Sequence, residues 1–149
     1  MEKIALFIND AAYARHILRP MLGAGVATHW IVVACAPTFT RHIGRWVSQS
    51  ARRQWRERWA AELFEQLEPE LKAAPANRVE KMLAHRALVD LSARLQARLG
   101  PVRLLDARRP RLGHVNEPIS TTQPVESLAQ WVGPVALATG LGAVLALVD

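Results

Sequence analysis

The feature that most constrains this chain is a pair of short apolar runs close together near its start. The first is Lys3-Ile4-Ala5-Leu6-Phe7-Ile8, ending at Asn9-Asp10; the second runs from Thr28 to Ala36 and stops at Pro37. Each is apolar at nearly every position rather than at alternate ones, as in a strand covered on both faces. Between them, Asp10 stands where a helix N-cap belongs, followed by Ala11 to Leu18. Pro20 is expected to bend or end this helix, and Gly23-Ala24-Gly25 to close it. Strand, helix and strand in such short compass make a parallel βαβ unit with a right-handed crossover. The first run is too short, and wrongly flanked, for a signal peptide.

The alternation continues. A long helix is expected from a cap at Thr38 or Thr40, with Phe39, Ile43, Trp46 and Val47 on one face. Further along, Trp55, Trp59, Leu63, Leu67 and Leu71 recur at helical spacing. A proline-alanine break, residues 73–77, precedes a third strand at Arg78 to His85. An amphipathic helix, Ala87 to Leu99, ends at Gly100-Pro101, and a fourth strand spans Val102 to Leu105. The loop after it is basic, with Arg108, Arg109 and Arg111, and leads through Gly113 to the hydroxyls Ser120, Thr121 and Thr122. A strand end, a positive loop and a helix start follow one another in the order a phosphate site needs.

Residues 131–148 contain no charge, which meets a crude criterion for a membrane span. Gly133, Pro134, Gly140 and Gly142, and the absence of a basic flank beyond, favour another division. That division is a helix from Pro124 to Thr139 and a closing strand from Ala143 to Val148. The expected pattern is βαβαβαβαβ, one α/β domain over residues 1–149 with a doubly wound open parallel sheet of five strands and helices on both faces. A membrane tail at 131–148 is the lesser alternative.

Composition narrows the function. The net charge is +6, and lysine occurs only at Lys3, Lys72 and Lys81, so the positive charge is nearly all arginine. Arginine suits phosphates and carboxylates, although salt bridges to the chain's own acids are the simpler account. Cys35 is the only cysteine; it excludes an internal disulfide and a cysteine zinc site, reads as a buried thiol, and fits a cytoplasmic protein. The histidines His16, His29, His42, His85 and His114 form no tight ligand pair. No Walker loop, nucleophile elbow or catalytic constellation is readable from spacing, so the chain is expected not to be an enzyme. The long helix carries arginines in its first half and glutamates in its second, against the preference of the helix dipole. Tryptophans among arginines suit single-stranded nucleic acid or an acidic surface; a core or dimer stripe with a solvated basic face is the stronger account.

The order of elements, Asp10 at the end of the first strand and the loop after the fourth together resemble the universal stress protein family, over essentially the whole chain. The resemblance implies an adenine-nucleotide alpha-hydrolase-like fold, strand order 3-2-1-4-5, and a homodimer through the last strand. It also implies an aspartate, matched by Asp10, and a loop of Gly, two residues, Gly, nine residues, Gly and Ser or Thr. Here those places hold Asp106, Arg109, Ile119 and Ser120, so only the hydroxyl matches. Without glycine the backbone cannot approach a phosphate as closely. Asp106 would repel phosphate unless a metal or an arginine intervenes, and Ile119 would block its approach. ATP binding is therefore disfavoured. The expected function is a dimeric regulatory or interaction domain with a degenerate nucleotide site. The alternative is a small-anion binder using Asp10, Arg108, Arg109, Arg111, Gly113, Ser120 and Thr121.

Overall fold

The computed structural model describes residues 1–22, 25–38, 45–111 and 116–121. Four strands, β1 (Glu2–Ile8), β2 (Thr28–Ala34), β3 (Arg78–Leu83) and β4 (Arg103–Ala107), form one all-parallel sheet in the order β3-β2-β1-β4. Among the described residues three helices alternate with them: α1 (Ala11–Leu22), α2 (Gln49–Leu71) and α3 (Leu88–Leu99). This is the expected α/β architecture with a four-stranded sheet. The expected fifth strand and last helix, residues 124–148, lie outside the described residues, as does the dimer contact assigned to them.

The two central strands are continuous apolar runs because both their faces are covered. Leu6, Phe7, Ile8, Ile31, Val33 and Ala34 have almost no exposed surface. The side chains of β3 show directly that the helices lie on opposite faces, since neighbouring residues of a strand point opposite ways. Glu80 reaches Arg98 of α3, whereas Lys81 reaches Glu68 of α2. The helix α1 packs beside α2, as right-handed crossovers leading the same way along a sheet require.

Local chemistry sets the helix ends. The Oδ1 of Asp10 accepts from the Tyr13 N–H at 2.9 Å and its carbonyl accepts from Ala14, so Asp10 is the cap of α1. Pro20 sits in the last turn without stopping the helix, which reaches Leu22. The start of α2 differs from expectation. Its cap is Ser48, whose hydroxyl accepts from the Ala51 N–H at 3.1 Å, and not Thr38 or Thr40. Trp46 and Val47 therefore precede the helix instead of lining its face, while Phe39, Thr40 and Ile43 fall outside the described residues. The buried stripe of α2 is Ala60, Leu63, Leu67 and Leu71. Trp59 packs against that core, and Trp55 stacks on it with ring centroids 6.4 Å apart. The helix α3 ends at Gly100, whose φ of +75° suits glycine.

Candidate functional site in the crevice over the strand ends

In an open parallel sheet, ligands bind beyond the carboxyl ends of the strands where the strand order reverses. Here the chain leaves β1 toward β2 on one side, while β4 lies on the other. Two adjoining cavities open at this end of the sheet. One, of about 450 Å³, is lined from all four strand ends, by Asn9, Cys35, His85, Arg86 and Arg108 among others, and by Arg56 of α2. The other, of about 360 Å³, lies between the ends of β1 and β4, against Asn9, Asp10, Arg109, Pro110 and Arg111.

Asparagine holds the ends of β1 and β4 together. The Oδ1 of Asn9 accepts from the Arg109 N–H at 2.6 Å, and its Nδ2 donates to the Arg109 carbonyl at 3.2 Å. This clasp spans a hundred positions of sequence, and no local pattern announced it.

The arginines of the basic loop do not behave alike. Arg108 turns inward and is only 7% exposed. Its Nε and Nη2 donate to the two carboxylate oxygens of Asp106 at 2.8 and 2.9 Å, a bidentate pairing. Its backbone N–H donates to the same carboxylate at 3.1 Å, and Nη2 also reaches the Glu117 carbonyl. Burial by itself would lower the guanidinium pKa, but the hydrogen bonds and charge of Asp106 outweigh it and hold it above its ordinary value. The repulsion expected from Asp106 is thus answered within the protein. Arg109 is exposed, its backbone held by Asn9 and its Nη1 3.5 Å from Asp10 Oδ2. Asp10 consequently serves α1 as a cap with one oxygen and faces Arg109 with the other. Arg111 is exposed and lines both cavities.

The segment that follows crosses α3. The cap position of that helix is Ala87, which has no capping side chain. The carboxylate of Glu117 takes over, accepting from the Leu88 N–H at 3.2 Å. Two residues on, the Ile119 carbonyl accepts from the buried Ser92 hydroxyl at 2.5 Å, and its side chain is 1% exposed in the core. Ile119 is therefore a core residue rather than a wall against phosphate. Ser120 is half-buried and Thr121 exposed; the residues lining the two cavities do not include them. Gly113 and Thr122 lie outside the described residues.

Arg56, Arg86 and Arg111 enter the larger cavity from three different segments, and no ion pair joins them to a carboxylate among the described residues. Cys35 lies at the wall, half-buried. Its thiol is pushed up to about 12, first by burial and then by the nearby Asp106 and Glu117 carboxylates, with Arg108 acting the other way. At neutral pH it is a protonated thiol and a poor nucleophile. Among the described residues no group of three or more His, Cys, Asp or Glu is placed to hold a metal ion, and no helix is long and apolar enough to cross a membrane. No protein-family model, curated protein or solved structure matches this chain.

Proposed function

We propose that this domain is a universal-stress-like regulatory module that binds a small phosphate- or carboxylate-bearing ligand in the crevice over its strand ends. The observation that carries the reading is the convergence of Arg56, Arg86 and Arg111 on one cavity of about 450 Å³, with Arg108 already neutralised by Asp106. A space of that size suits a small metabolite. The anion is held by arginine forks, with Asn9 fixing the strand ends beneath it.

A glycine cradle for MgATP is not part of this proposal. The glycine places of such a cradle are taken by side chains with other work: Asp106 is paired with Arg108, Arg109 is clasped by Asn9, and Ile119 is committed to the core. Calorimetry with pyrophosphate, citrate and ATP, the last with and without Mg²⁺, tests the proposal. Pyrophosphate or citrate is expected to bind, and to lose most of its affinity in Arg86→Ala and Arg111→Ala. Absence of heat and of any thermal shift with all three at millimolar concentration would overturn it. Dimerisation through residues 143–148 belongs to the same reading, and sedimentation over a range of concentrations tests it.

A further inference from the structure

We propose that the amino end of α2 docks this protein on an anionic lipid surface. Residues 45–58 hold five arginines, Arg45, Arg52, Arg53, Arg56 and Arg58, against one acid, Glu57. Arg45, Arg53 and Arg58 are exposed, and among the described residues none of the three enters an ion pair. The helix dipole disfavours cations at this end, so helix stability does not account for the cluster. Beside it, in the turn before the cap, Trp46 is 81% exposed. Tryptophan flanked by basic residues favours the bilayer interface, where the ring lies among the headgroups and the cations meet anionic lipid.

The other tryptophans point away from nucleic acid as the partner. Trp55 and Trp59 stack on each other and Trp59 packs on the core, so the pair is engaged in the fold rather than spread out as a platform for successive bases.

The test is flotation of the full chain with vesicles of phosphatidylcholine alone and of equimolar phosphatidylcholine and phosphatidylserine. Binding to the anionic vesicles is expected to exceed that to the neutral ones by at least about tenfold and to weaken with salt. Reversing Arg45, Arg53 and Arg58 to Glu removes this preference, whereas changing the three to Lys keeps it, because a headgroup field reads charge rather than fork geometry. Trp46→Phe removes a blue shift of tryptophan fluorescence seen on binding. Equal flotation with both vesicles, no flotation at all, or a preference untouched by charge reversal overturns the proposal. Binding of single-stranded RNA without anionic-vesicle binding overturns it in favour of a nucleic-acid surface. All four positions are exposed, and circular dichroism checks that each variant folds.

Discussion

The two ends of the sheet treat charge in opposite ways. At the amino end several polar groups are matched within the domain. Arg103 pairs with Glu2, and the Lys3 ammonium donates to the Leu99 carbonyl. Asn77 accepts from the Thr28 N–H and donates to the Leu71 carbonyl, both at 3.0 Å, joining the end of α2 to the start of β2. The acidic half of α2 is also engaged, Glu68 by Lys72 and Lys81, and Glu70 by Arg15. At the carboxyl end only Arg108 is buried in a pair, while Arg56, Arg86 and Arg111 face the crevice and Arg45, Arg53 and Arg58 face outward. A single helix, about 34 Å long at 1.5 Å per residue, thus has one end committed to holding the fold and another left for partners. Paired charges are structural, and unpaired ones on a crevice are available to a ligand.

The largest break in this comparison is expected at Arg108, the arginine of the open end that is buried in a pair. Arg108→Ala removes the guanidinium that neutralises the half-buried Asp106 carboxylate and meets the Glu117 carbonyl, and should cost about 3–5 kcal/mol in urea unfolding. Replacing the pair together, Asp106→Leu with Arg108→Met, should recover most of that loss. A single variant as stable as the parent would show that the pair is not buried.

The matched end should respond next. Asn77→Ala leaves the Leu71 carbonyl and the Thr28 N–H without their partner and is expected to cost about 1–3 kcal/mol by the same measurement. At the head of α2, Ser48→Ala should cost about 1 kcal/mol, with circular dichroism showing fraying of that helix. If Thr38 or Thr40 capped it instead, Ser48→Ala would be silent and Thr38→Ala or Thr40→Ala would not.

The smallest effect concerns pH. Lys72 and Lys81 hold the Glu68 carboxyl down to about 2, against an ordinary value of 4.5. A folded-state value below the unfolded one contributes stability that is fully present above the unfolded pKa and is lost as pH falls through the folded pKa. The urea midpoint should therefore decline as pH drops from about 4.5 toward 2. In Glu68→Gln that part of the acid limb should flatten. The change is modest because the carboxylate is solvent-accessible and screened.

The α/β class, the four described strands and the body of each helix were legible because the patterns that specify them are local. An unbroken apolar run marks a doubly covered strand whatever lies elsewhere in the chain, and a stripe such as Leu63, Leu67 and Leu71 marks the buried face of a helix. The start of α2 was less legible, since hydroxyls at Thr38, Thr40 and Ser48 look alike in sequence and only backbone geometry selects among them. For the candidate site, the sequence singled out Asp10, Arg108, Arg109 and Arg111, which the structure places at the strand-end cavities, yet it treated the arginines as equivalent. It missed Arg56 and Arg86 as cavity residues, and Asn9 and Glu117 altogether. A basic loop has the same composition whether its side chains turn inward or outward.

By itself, then, the sequence determined the sheet, its covering helices and the uneven distribution of charge along α2. Only the tertiary structure decided that Arg108 closes on Asp106, that Asn9 clasps Arg109 and that Glu117 takes over the cap Ala87 cannot supply. The physical reason is reach. Secondary structure follows from interactions a few residues apart, whereas the clasp of Asn9 and the cap of Glu117 join groups that only the packing of the chain brings within hydrogen-bond distance.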